Sequence, residues 1–182
     1  MNNVLLGEHI KLTVLARQDA HVIATWQEEH GFLRNLDALP AAPKSIEQIE
    51  EWLDGARKSA NSYLFGIRLK ETDELIGYVE IDGILWNHRV AGIAIAIGTQ
   101  TQRGRGYGRE ALERLLAFAF MELNLHRVQL TVFAYNQPAI TLYEKMGFKQ
   151  EGVYREFLCR DGQRHDMLLY GMLEREWRER MP

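Results

Sequence analysis

The sequence predicts a mixed α/β (α+β) fold in which helices flank one central, mostly antiparallel sheet. Three observations predict it. The elements run strand, two helices, three strands, helix, strand, helix, two strands, so helices are inserted among strands instead of alternating with them as in a doubly wound fold. Neighbouring strands are joined by short polar turns, at residues 71–74 and 161–162, which suit antiparallel partners. The chain has 182 residues, of which 46% are hydrophobic and 26% charged, enough to bury one core across a single domain spanning 1–182.

Each element follows from its pattern. "HIKLTVLA" alternates as a strand does, and "RQDAHVIATWQEEHG" has helical spacing and closes on Gly31. Two prolines make "FLRNLDALPAAPK" a loop. Ser45 then caps a helix, "SIEQIEEWLDGARK", with Gln48 at the capping-box position. "SYLFGIRLKETDELIGYVEIDGILW" reads as two strands around the turn at Glu71–Glu74, and "VAGIAIAIGTQ" as a buried strand, apolar on both faces. Leu112, Leu115, Leu116, Ala119 and Leu123 recur at helical spacing, with Glu110 and Arg114 as an exposed pair four residues apart. "RVQLTVFAYN" is a strand. "PAITLYEKMG" is a short helix with Pro138 in its first turn and Gly147 at its stop. "FKQEGVYREFLCRDGQRHDMLLYGML" is a hairpin turning at Asp161-Gly162, and "EREWRERMP" a terminal helical turn.

Composition excludes several classes of function. The formal net charge of -3 does not suit a generally basic nucleic-acid-binding surface. A lone cysteine, Cys159, allows no internal disulfide and no cysteine-rich zinc centre. The scattered histidines lack metal-ligand spacing such as H-E-x-x-H, so no metal is expected. The N-terminus "MNNVLLGEHIKL" lacks the basic and apolar regions of a signal peptide, and no run is long enough to span a bilayer. A cytoplasmic protein without membrane or nucleic-acid partners is expected.

Residues 102–110, "QRGRGYGRE", place glycines at alternate positions at the mouth of a helix. Alternate glycines let backbone N–H groups converge on a concavity, and the helix dipole adds positive potential. Arg103, Arg105 and Arg109 add charge-assisted donors suited to phosphate. A Walker loop is excluded, because Gly108 is followed by Arg109 and Glu110 and not by Lys-Ser/Thr. The dinucleotide fingerprint is excluded by the G-x-G-x-G spacing and by the antiparallel strands before it. On spacing alone, an ordinary turn remains an equal reading.

The wider pattern separates the two. "RGRGYG" resembles the Arg/Gln-x-x-Gly-x-Gly/Ala pyrophosphate loop of the GNAT superfamily of N-acetyltransferases, with Arg103 first and Gly106 and Gly108 last. "AGIAIAIG" before it, "NQPAITLYEKMGF" after it and the closing "YREFLCRDGQRHDMLLYGMLEREW" are similar to successive motifs of the same family. They resemble the branch of ribosomal-protein-alanine and spermidine acetyltransferases. Nearly the whole chain follows the family in order, its first forty to sixty residues more loosely.

The resemblance implies a sheet splayed between two strands, with the strand of Ile95, Ala96 and Ile97 pairing with the pantetheine arm of acetyl-CoA. It implies that Arg103, Gly104, Arg105, Gly106, Tyr107, Gly108 and Arg109 receive the pyrophosphate. Asn136 would help hold this cosubstrate and Lys145 would lie near its phosphate-bearing end. Direct transfer follows: a neutral amine attacks the thioester, a backbone N–H near Ile95–Ile97 stabilises the oxyanion, and Tyr143 protonates the leaving thiolate. On residue type alone, Tyr143 reads first as a core-packing tyrosine on a short helix, and only the resemblance gives it the acid role.

Strand alternation puts Tyr78, Glu80 and Asp82 on one face, with Glu80 the candidate base, directly or through water; a solvated or cation-binding carboxylate on a half-exposed strand is the competing reading. Relatives often carry Glu where this chain has Gly92, so Glu80 substitutes or water carries the proton. Trp26, Phe32 and Trp86 read as core or wall residues, Trp86 and the Leu33–Leu39 loop as apolar walls of the acceptor cleft with Glu80 or Asp82 as cation partner, and Glu144 as a solvated charge. The acceptor implied is a primary amine, on a protein N-terminus or a small molecule. A homodimer is a further implication by analogy. The competing readings are an acyl-CoA-binding regulator without catalysis and a nucleotide-binding module of another kind.

Overall fold

The computed structural model describes residues 3–29 and 31–181. Its strands are β1 (Ile10–Val14), β2 (Tyr63–Leu69), β3 (Leu75–Leu85), β4 (Val90–Ile97), β5 (Arg127–Phe133), β6 (Lys149–Arg160) and β7 (Gln163–Leu173). They form one sheet in the order β1-β2-β3-β4-β5-β7-β6. Every neighbouring pair is antiparallel except β4 and β5, which run parallel and pair only at Val90–Arg127, Ala91–Val128 and Gly92–Gln129. Beyond Gly92 the two strands part. Ile93–Ile97 keeps a partner only on its β3 side, and Leu130–Phe133 only on its β7 side. The sheet is forked.

Local signals set the turns. Asp161 (φ 51°) and Gly162 (φ 75°) are both left-handed, the conformation a two-residue hairpin needs to match strand twist. Ser45 accepts from the Gln48 N–H and donates its own N–H to the Gln48 side chain, closing the capping box of the helix Ile46–Lys58.

The helices differ from expectation near the N-terminus. A 3₁₀ turn (Arg17–Asp19) leads into α1 (Ala20–Trp26), which ends well before Gly31. Trp26 is wedged against Phe32 and Tyr78, and the next side chain, Gln27, accepts the Lys44 N–H at 2.6 Å. Those tertiary partners turn the chain out of the helix. Gly31 (φ 106°) instead opens α2 (Phe32–Leu36), inside the segment expected to be loop; His30 lies outside the described residues. The remaining helices are α3 (Ile46–Lys58), α4 (Tyr107–Ala117), α5 (Gln137–Met146) and α6 (Glu174–Arg178), and α4 runs on as a π-helical turn over Phe118–Glu122.

Hydrophobic packing seats these helices on the two faces of the sheet. Leu112, Leu115 and Leu116 of α4 are fully buried against Val79, Ile81, Ile93 and Val128, each worth about 1.5–3 kcal/mol of transfer free energy. On the other face Ile23 and Trp26 of α1 and Ile49 and Leu53 of α3 enclose Tyr78 and Ala96. Here a Cβ on Gly98 would fall 2.2 Å from the Trp26 ring, so the indole lies directly on that backbone.

Two electrostatic expectations are corrected. Glu110 does not pair with Arg114: its carboxylate accepts the N–H groups of His9 and Ile10 and faces the His9 ring, while Arg109 and Glu113 form the ion pair on α4. Glu144 is not simply solvated but accepts the Tyr170 hydroxyl at 2.9 Å.

Candidate active site

The fork opens a cavity of about 910 Å³ that passes from the α4–α5 side of the sheet to α2. One end is formed by Arg103, Gly104, Gly106, Gly108 and Arg109, and the other by Phe32, Asn35, Leu36, Asp37 and Ala38. Ile93–Ile97 of β4 and Leu130–Phe133 of β5 form the walls between them. Both walls offer backbone groups without a strand partner on the cavity side, a surface suited to an extended, amide-containing ligand.

At the loop end, Gly104 (φ 72°) and Gly106 (φ 89°) take left-handed conformations that L side chains adopt at a cost. Gly106 caps α4 without a side-chain acceptor, leaving the first N–H groups of the helix to an anion. Gly108 differs, since an added Cβ would meet only Ile97, Ile95 and Leu142 at 3.7–3.9 Å, ordinary contacts. Neither a positive φ nor crowding within the protein demands glycine there, and its bare face looks into the cavity.

The arginines divide their work. Arg103 turns its guanidinium onto the carbonyls of Ile97 and Gly98, tying the end of β4 to the loop. Arg105 stacks over Tyr107, and Arg109 pairs with Glu113. Arg105, Tyr107 and Lys145 are not part of the cavity wall; Lys145 sits on α5 with its carbonyl taken by Arg180.

In the middle of the cavity wall lie Asn136 and Tyr143. Asn136 caps α5, its side chain accepting the Ala139 N–H at 3.4 Å. Tyr143 is fixed from below, because α5 ends at Gly147 with the Phe148 N–H donated to the Tyr143 carbonyl. That closure sets the Phe148 ring edge-on to the Tyr143 ring at 5.8 Å. The Tyr143 hydroxyl has no hydrogen-bond partner among the described residues, and burial pushes its pKa up to about 12. It is a proton-bearing donor with its bond unspent.

At the α2 end, Tyr154 and Phe157 stack at 5.8 Å where β6 bulges, and both line the cavity. The β6–β7 tip and the loop after β5 hold the α2 segment in place: Arg160 donates to the carbonyls of Asp37 and Leu39, Arg34 pairs with Asp161, and Tyr135, between β5 and α5, donates to the Arg34 carbonyl. The Leu33–Leu39 loop lines the cavity as expected, though with Asn35 and Asp37 beside Leu36 and Ala38 it is not purely apolar, and sequence reading missed Tyr154 and Phe157 as wall residues. The only signal was the broken alternation of "VYREFL".

Glu80 lies on the expected face but is not among the wall residues. Burial, then repulsion from Asp82, raises its pKa to about 7. Asp82, one alternation further along, does line the cavity. Trp86 also stands apart, half-exposed and donating its indole N–H to Ala60 and Asn61.

Comparison with known proteins adds the following. Residues 9–149 match the acetyltransferase (GNAT) domain family. Over 171 residues the chain is 28% identical to an uncharacterised prophage-derived N-acetyltransferase, YokL, of Bacillus subtilis, covering 94% of this chain and 93% of that protein. It is 36% identical to the spermidine N(1)-acetyltransferase of Vibrio cholerae over 58% of this chain and 61% of that one. The crystal structure of the V. cholerae spermidine N-acetyltransferase in complex with CoA and spermine superposes with a TM-score of 0.84 at 27% identity, covering 93% and 98% of the two chains.

Proposed function

Because the chain belongs to the GNAT acetyltransferase family, we propose that it moves the acetyl group of acetyl-CoA onto a primary amine by direct attack, using the forked cavity. The observation that carries this reading is continuity: one cavity joins a glycine-lined helix N-terminus that has no side-chain acceptor of its own, an unspent tyrosine hydroxyl and a separate mouth beside α2. A CoA-type ligand fits the first part. Backbone N–H groups of the 103–108 loop suit a pyrophosphate, and the unpaired edge of Ile93–Ile97 suits the amides of a pantetheine arm. When bound, it supplies the activated acyl carbon.

The chain's own residues then divide the chemistry. Main-chain N–H groups of β4 near Ile95–Ile97 stabilise negative charge on the carbonyl oxygen. Tyr143 donates a hydrogen bond to the departing sulfur. With a pKa near 12 it keeps its proton at every physiological pH, so it serves as donor throughout. Asn136 braces the start of α5 and so the position of Tyr143. Arg103 acts mainly by holding the end of β4 in place.

The acceptor is a primary amine, and the α2 mouth favours a small cationic one. Asp37 and Asp82 supply negative charge, and the stacked Tyr154 and Phe157 supply an aromatic surface for an aliphatic cation. A protein N-terminus is the second acceptor in the panel. The same reading places the protein in the cytoplasm with its acyl donor, and assigns self-association to β6, an outer strand exposing Val153, Tyr154 and Phe157. The test is CoA-thiol release from acetyl-CoA with spermidine, spermine, an aminoglycoside, free amino acids and an alanine-first peptide. Release with at least one amine is expected. Tight acetyl-CoA binding with no release from any would support the non-catalytic regulator instead.

A further inference from the structure

The amine that enters the cavity arrives mostly as an ammonium ion, with a pKa near 10 for an alkylamine. It must lose a proton before it can attack. Among the described residues, six charged side chains line the cavity: Asp37, Asp82, Arg103, Arg109, Arg127 and Glu151. Arg127 and Glu151 hold each other in a two-pronged ion pair. Arg103 is bound to backbone carbonyls and Arg109 to Glu113. Asp37 accepts the Leu39 N–H at 2.7 Å in its own turn. Asp82 alone has no hydrogen bond or ion pair among the described residues.

Its position is equally specific. Asp82 faces Gly92 across β3 and β4, and Gly92 with Gln129 is the last paired rung before the fork opens. A Cβ on Gly92 would lie 2.3 Å from Asp82 Oδ1. The absent side chain at residue 92 therefore leaves the space in which the Asp82 carboxylate rests, at the base of the fork.

Resting on the acetyltransferase reading above, we propose that Asp82, seated over Gly92, is the catalytic base that deprotonates the acceptor amine. One N–H bond of the ammonium breaks and its proton passes to a carboxylate oxygen of Asp82, leaving the nitrogen lone pair free. The neutral amine attacks the acyl carbon, the carbon–sulfur bond breaks, and the second proton lost by nitrogen ends on sulfur as CoA thiol. Asp82 then returns its proton to solvent through the open α2 mouth. Glu80, beside it on the same strand face, is the nearest group shown to interact with it electrostatically.

The test compares wild type with Asp82→Asn, using spermidine and an alanine-first peptide as acceptors, from pH 7 to pH 10. A general base contributes about 10²–10⁴-fold, so Asp82→Asn is expected to lose about 100-fold in kcat/KM at pH 7. The deficit should shrink to about tenfold or less near pH 10, where the amine deprotonates unaided. Acetyl-CoA affinity and Tm stay at wild-type values. The double variant Asp82→Ala, Gly92→Asp returns a carboxylate to the same space from β4, and recovery of activity above Asp82→Ala supports the assignment. Active wild type with an Asp82→Asn variant within threefold at pH 7, or with a deficit constant across pH, overturns the role of Asp82 alone. Wild type inactive on the whole amine panel removes the acetyltransferase reading and this role together.

Discussion

Substituting Gly108 by alanine separates a glycine kept for the protein from one kept for a ligand. Gly108 occupies the first turn of α4, its φ is not positive, and an added Cβ meets side-chain carbons no closer than 3.7 Å. In the free protein, Gly108→Ala should therefore raise stability by about 0.5 kcal/mol, the low end of the helical Gly-to-Ala range for a terminal turn. For a domain of this size that is about 1–2 °C in Tm. The new methyl projects into the cavity where a phosphate must approach the N–H groups of the helix, so acetyl-CoA affinity should fall at least tenfold, about 1.4 kcal/mol. Gly106→Ala, at φ 89°, should also weaken binding but lower Tm, because the left-handed conformation costs an alanine about 1–2 kcal/mol. Calorimetric titration with CoA and thermal unfolding with and without it measure both quantities. A Gly108→Ala protein that binds CoA as wild type does, or is destabilised when free, refutes the view that its bare face is reserved for the ligand.

Other expectations follow from the same geometry. Tyr143→Phe should lower kcat by about 10²-fold while the Kd for acetyl-CoA stays unchanged, read by steady-state kinetics and calorimetry. Glu80 carries a carboxyl raised from 4.5 to about 7, so the folded state binds an extra proton between those values and stability falls as pH rises through that window. The full shift sets a ceiling of about 3 kcal/mol, which partial solvent exposure reduces to about 1–2 kcal/mol. Glu80→Gln should match wild type in urea unfolding at pH 4 and exceed it by that amount at pH 8. Gly98→Ala drives a methyl into Trp26 and should cost about 1–3 kcal/mol, with a shift in Trp fluorescence. Arg160→Ala frees the α2 segment from β6 and should raise KM for the amine severalfold with little effect on acetyl-CoA.

Features decided within a few residues were legible in the sequence. The Ser45–Gln48 box, Pro138 and Gly147 around α5, and the Asp161-Gly162 turn are local conformational choices, and each stands where its pattern put it. Features decided across the chain were not. Helical spacing continues past Trp26, but Gln27 is drawn to Lys44 and Trp26 to Gly98, and the helix stops. Glu110 and Arg114 have ideal spacing for an ion pair, yet Glu110 meets backbone donors from His9 and Ile10, about a hundred residues away, and the half-buried Arg114 turns to the Leu6 carbonyl instead. The site divides in the same way. The glycine loop is local and readable, whereas the inward turn of Arg103 and the approach of Tyr154 and Phe157 to the α2 mouth depend on tertiary packing.

The glycines make the underlying reason concrete. In the sequence, Gly108 is marked by its loop and Gly92 by the carboxylate it lacks, while Gly98 is not marked at all, and none of the three shows what occupies the space it leaves. In the folded chain each is a volume withheld from a side chain, and what fills it differs: the Asp82 carboxylate at Gly92, the Trp26 indole at Gly98, and at Gly108 nothing closer than ordinary packing. The first withheld volume positions a charge, the second closes the core behind β4, and the third is open toward the cavity. Pattern can report that a side chain is missing, but the role of the gap is set by the group that reaches it from elsewhere. At Gly92 that group comes from the neighbouring strand, so moving a carboxylate from residue 82 to residue 92 tests whether the chemistry follows the space or the residue.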